Sequence, residues 1–129
     1  MKIKTSELTG QALDWAVAKA ESRVIIQFLG GGILVNGRTE LGAELDVEQG
    51  FNYMWHPSSS WSQGGPIIER EGVNIENNPD RSLWLAWTPA PEQRTGEAHG
   101  KGPTPLIAAM RCYVASKLGD EVEVPDELA

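Results

Sequence analysis

The sequence predicts an α+β fold, with two main helices packed on a mainly antiparallel sheet in a single domain spanning 1–129. Three observations predict it. Apolar residues recur at helical spacing near the start of the chain, at Leu8, Ala12, Leu13, Ala16, Val17 and Ala20. They do so again near its end, at Leu106, Ile107, Met110, Tyr113, Val114 and Leu118. Between these stripes lie short β-branched or alternating runs broken by Gly, Pro, Ser and Asn, the pattern of strands joined by turns.

Taken in order, Lys2-Ile3-Lys4 is a short extended piece, and Thr5 or Ser6 is positioned to cap a first helix running to about Ala20. Trp15 falls at the margin of the apolar stripe, where its ring either covers the core edge or faces a ligand. Arg23 to Leu29 is a strand with both faces covered, since its apolar run is nearly continuous. Gly30-Gly31-Gly32 interrupts it. Ile33-Leu34-Val35 then meets Asn36-Gly37, the pair best suited to a tight hairpin turn. Residues 38–50 are acidic and poorly periodic, which predicts a surface connection.

The segment from Phe51 to Pro66 packs aromatics between turn residues. It predicts a turn-rich region, followed by a strand at Ile67-Ile68, a turn, and a second strand at Val73-Asn74-Ile75. Leu83 to Trp87 alternates as sheet does. The stretch 89–103 has no apolar rhythm and predicts a flexible exposed loop. Thr104 as N-cap, Pro105 at the first helical position and Gly119 after Leu118 bound the second long helix. Val122 and Val124 form a short edge strand within an acidic tail, 120–129.

Composition narrows the function. At 129 residues the chain can enclose a modest core without staples, and its one cysteine, Cys112, cannot form an internal disulfide. With no charged-then-apolar leader and no apolar run near the ~18 residues of a membrane span, the expectation is a cytoplasmic protein that does not enter membranes. Eighteen acidic against eleven basic side chains give a net charge of −7. The bases are scattered, so direct binding of double-stranded nucleic acid is not expected. An acidic surface that keeps the chain soluble accounts for the charge, and mimicry of DNA is the sharper alternative.

Catalytic groupings are not evident. Cys112 sits mid-helix with nothing to lower its pKa, His56 and His99 have no cysteine at metal-ligand spacing, and His56 beside Ser58, Ser59 and Ser60 lacks a nucleophile elbow and a placed acid. No enzyme activity, metal or cofactor is therefore expected. The glycine triplet opens no helix and carries no lysine, so it is not a phosphate loop. Five tryptophans against two Phe and two Tyr exceed what a core this small ordinarily uses. The candidate site is accordingly aromatic: Tyr53, Trp55 and Trp61 as flat faces, Ser58 and Ser60 as donors, and Gly64 and Gly65 allowing close approach. Trp15, Thr104 and Arg111 are expected to line the same cleft. The competing reading makes these rings a cluster closing one end of the sheet.

Three blocks are familiar: Lys4 to Gly10 with Leu13 to Ala18, Pro57 to Arg70, and Gly102 to Arg111. They resemble the NinX-like family of tailed-phage proteins over most of the chain. The resemblance implies a small phage accessory protein in the cytoplasm of the infected bacterium, and assigns no activity. In pattern alone, a first helix, strands and a Trp-Pro-Ser-Trp block, the chain is also similar to phage sponge proteins that sequester nucleotide immune signals such as cyclic ADP-ribose isomers. That likeness implies a non-catalytic, homo-oligomeric binder of a small nucleotide-like ligand. A module that inhibits a host enzyme, with a host protein as partner, is the alternative.

Overall fold

A computed structural model describes residues 1–29, 32–39, 52–89 and 97–129. The glycines at 30 and 31, residues 40–51 with most of the acidic stretch 38–50, and the 90–96 part of the expected loop lie outside the described residues. The fold is α+β. Among the described residues, three helices, α1 (Gly10–Ala20), α2 (Trp61–Glu71) and α3 (Pro105–Leu118), accompany eight strands. The strands are β1 (Lys2–Lys4), β2 (Arg23–Leu29), β3 (Gly32–Thr39), β4 (Asn52–Trp55), β5 (Asn74–Asn77), β6 (Trp84–Pro89), β7 (Glu97–Gly102) and β8 (Glu121–Glu123). Where the sequence predicts one sheet under two helices, the strands form three antiparallel sheets, ordered β1-β8, β2-β3-β4 and β5-β6-β7. Helix α1 packs on β2 and β3, α3 packs on β5, β6 and β7, and the two helices pack on each other. One buried cluster runs through that contact, from Leu13 and Val17 of α1 to Met110 and Val114 of α3.

The first helix starts later than expected. Thr5 does not cap it, because its hydroxyl donates to the carbonyl of Gly119 at 2.6 Å and its N–H to that of Asp120 at 2.8 Å. Thr5 therefore opens a short 3-10 turn, Thr5–Glu7, tied to the end of α3, and Thr9 takes the N-cap position of α1. The hairpin also differs. Leu29 stands opposite Gly32, so β2 and β3 already pair at those two residues, and Asn36-Gly37 lies inside β3. There Asn36 faces Asn52 of β4, and its side-chain amide donates to the side-chain Oδ1 of Asn52 at 3.1 Å.

The largest correction is α2, which replaces the predicted turn and strand at 61–71. Gly64 is the reason a segment rich in turn residues can be a helix in this place. A Cβ there would lie 2.6 Å from the carbonyl oxygen of Pro57 and 2.7 Å from Leu106 Cδ2, so only glycine lets α2 approach the start of α3 so closely. Ile67 is buried on the same helix, and Pro66 interrupts its internal hydrogen bonding. Similarly, β7 occupies the later part of the expected loop. Gly100 lies against the backbone of α3, where a side chain would collide with the carbonyl of Ala108 and meet the Cys112 nitrogen at 2.5 Å. The strand packs by main chain, which leaves no apolar rhythm to read.

Helix α3 matches its predicted limits. Thr104 Oγ1 accepts from the Ile107 N–H at 3.1 Å, with Pro105 in the first turn. Its burial is wider than one arc, taking in Ala108, Ala109, Cys112 and Ala115, while Leu118 is exposed. Flanked by α1, α2 and a sheet, the helix has few open faces. Val122 and Val124 are buried, and β8 pairs with β1. Among the described residues, no helix is long and apolar enough to cross a membrane.

Candidate functional site

The structure divides the expected site into three places. Trp55, at the end of β4, is 2 % exposed. Its Nε1 donates to the Asp14 carbonyl at 3.1 Å, and the Arg23 guanidinium covers its ring 3.9 Å from the centroid. Tyr53 meets Trp55 edge to face at 6.4 Å and accepts a hydrogen bond from Arg23 Nη1 at 2.6 Å. Trp15 is half-buried against the core. Trp55 is thus corrected from an open stacking face to a core residue, and its stacking partner is Arg23 of this chain. Gly64 is corrected too, since the space beside it is filled by Pro57 and Leu106.

Trp61 is different. As the first residue of α2 it leaves the core and is 55 % exposed. Together with Ser58, Ser59 and Thr104 it lines an open groove of about 360 Å³, to which Pro105, Leu106 and Ile107 also contribute. The groove lies where the N-termini of α2 and α3 come together, so the positive ends of two helix dipoles border it. Ser60, at the N-cap position of α2, shares a hydrogen bond with Ser62 Oγ at 2.9 Å, and Gly65 faces open space.

Arg111 lies elsewhere. It borders a second hollow, of about 440 Å³, between the Thr5–Glu7 turn, β7 and α3. Its Nε donates to the Leu8 carbonyl at 2.9 Å and its Nη1 to the Lys101 carbonyl at 2.7 Å. The expectation that Arg111 and Trp61 share one cleft is therefore corrected; they line different cavities.

Residues that carry no recognisable motif hold the groove in shape. Asp14, buried on α1, accepts the Ser58 N–H on Oδ1 at 2.9 Å. Burial raises its pKa, an effect partly offset by hydrogen bonds from Ser58 and by the nearby His56. The Gln63 side chain spans α2 and the end of β4, accepting from the His56 N–H at 2.7 Å and donating to the Met54 carbonyl at 2.8 Å. Neither role has a sequence signal, because each depends on a partner far along the chain or in a segment that reads as turn. Asp14 binds Ser58 directly, and among the described residues no hydrogen bond joins the His56 ring to a serine. Cys112 is buried, its thiol donates to the Ala98 carbonyl at 3.4 Å, and burial pushes its pKa up to about 11. No group of three His, Cys, Asp or Glu residues able to hold a metal occurs among the described residues.

The family model described as bacteriophage P22, NinX matches residues 4–117. No curated protein matches the sequence.

Proposed function

The chain belongs to the bacteriophage P22 NinX family, and we propose that it is a non-catalytic phage accessory protein which binds a small nucleotide-like ligand and so sequesters a host signal. The observation that carries the reading is the exposed Trp61 indole over a groove that also collects Ser58 and Thr104. An indole face suits a planar base, hydroxyls suit a sugar, and two helix N-termini suit an anionic end. The net charge of −7 favours a ligand with few phosphates over a polyanion. Binding without chemistry is in keeping with the buried Cys112 and with a Ser58 held by Asp14. The proposal places this activity in the cytoplasm of the infected cell and includes self-association, which light scattering on the purified protein reads directly.

Titration with nucleoside monophosphates and cyclic nucleotides tests the ligand. Quenching of tryptophan fluorescence is expected in the wild type and is expected to vanish in Trp61→Phe, while Trp15→Phe retains it. A response that persists without Trp61, or none to any nucleotide, overturns the reading. The alternative, inhibition of a host enzyme through an acidic surface, would rest on the exposed Asp120, Glu121 and Glu127. Glu123 and Asp126 already engage the Met1 ammonium, at 2.9 and 3.2 Å. Stoichiometric, salt-sensitive capture of one host protein would favour that alternative.

A further inference from the structure

We infer that the hollow beside Arg111 is a second binding site, separate from the Trp61 groove, for a small organic anion with an apolar body and one carboxylate or phosphate group. The inference does not depend on the proposed function. It begins with the charge of Arg111. A guanidinium has five N–H donors, and the structure gives this one two hydrogen bonds, both to main-chain carbonyls, of Leu8 and Lys101. These fix the fork without neutralising it. Among the described residues no carboxylate lies within ion-pair distance of Arg111, and burial lowers its pKa with no opposing charge to raise it. Held charge of this kind attracts an anion more strongly than a mobile surface cation does.

The surroundings agree. The hollow's wall is mainly apolar, Ala115 contributing to it, and its volume of about 440 Å³ is suited to a small ligand. Lys4 and Lys101 join Arg111 on the rim, against Asp120 and Glu121. Glu121 stands directly opposite Lys4 in the β1–β8 register, so those two charges offset one another. Three cationic against two acidic side chains leave the hollow one positive charge in excess, within a chain of net −7. An anion that docks here meets the remaining N–H donors of Arg111 with its charged end and the apolar wall with its body.

Calorimetric titration of the full chain with phenyl phosphate, benzoate and the neutral benzamide tests this. At least one anion is expected to bind, with benzamide about tenfold weaker or more. Arg111→Gln should weaken the anion about tenfold or more, and Lys101→Gln, an exposed change that leaves the main-chain contact intact, should weaken it severalfold. Trp61→Phe should leave the affinity as it is, which separates this site from the groove. Phosphate preference over carboxylate, or the reverse, identifies the ligand's charged group. The inference is overturned if neither anion binds at millimolar concentration, if benzamide binds equally well, if Lys101→Gln and Arg111→Gln change nothing, or if Trp61→Phe abolishes binding.

Discussion

Asp14 holds Ser58: the carboxylate Oδ1 accepts the Ser58 backbone N–H at 2.9 Å, across 44 residues of sequence. The same residue's carbonyl accepts from Trp55, so one turn of α1 fixes both the end of β4 and the turn that leads into α2. Removing the carboxylate with Asp14→Ala leaves a buried N–H without its acceptor. A loss of about 1–3 kcal/mol is expected in chemical denaturation. Asp14→Asn keeps an acceptor and removes the charge. Because the folded protein raises the pKa of Asp14, it binds that proton more tightly than the unfolded chain does. The associated stability is complete below the ordinary carboxylate pKa and is lost as pH rises through the elevated value. Asp14→Asn should therefore be at least as stable as wild type at neutral pH and should lack this acid-range decline; melting curves across pH 3 to 7 would reveal it.

Two adjacent glycines in α2 should respond in opposite directions to the same change. Gly64→Ala pushes a methyl into the Pro57 carbonyl and Leu106, with an expected cost of about 1–3 kcal/mol. Gly65→Ala meets nothing within 4 Å and replaces a poor helix former with the best, so a gain of about 0.5–1 kcal/mol is expected. Equal effects of the two substitutions on the thermal midpoint would contradict a helix at 61–71.

Cys112 should be inert until the protein opens. Its thiol is buried and its pKa is pushed up to about 11, so a thiol reagent at pH 8 should modify the folded chain far more slowly than the denatured one. The shift also sets an alkaline limit. Stability from the neutral thiol is complete below its ordinary pKa of 9.0 and is lost as pH rises through about 11. Cys112→Ala should remove that part of the alkaline decline, read as the difference between the two pH–stability curves.

What the sequence made legible was what local rules govern. The limits of α3 follow from Thr104, Pro105 and Gly119, and β2 and β6 follow from their apolar patterning, although Ile26 of β2 is exposed where both faces of that strand are expected to be covered. The α2 helix was illegible because its Gly64-Gly65-Pro66 centre reads as a turn, and what favours a helix there is contact with Pro57 and Leu106. Asn36-Gly37 suits a turn by local rules, yet it lies inside β3 because cross-strand pairing with β2 and β4, a long-range property, takes precedence. In the candidate site, Trp61 and Ser58 are close in sequence, and the groove they line also takes in Thr104 from a distant segment. Sequence could not separate Trp55 from them, because a buried indole and an exposed one look alike until the Arg23 lid and the Asp14 carbonyl are placed.

The contact of Gly100 with α3 also bears on how this fold can vary. Where two backbones touch, no neighbouring substitution can restore the fit by trading volume, as side chains in a core can. Position 100 should thus resist replacement even by alanine, while changes at the exposed His99 and Lys101 on either side would leave this backbone contact undisturbed. Among divergent copies of this domain, an isolated invariant glycine in an otherwise drifting strand would mark the sheet-to-helix seam.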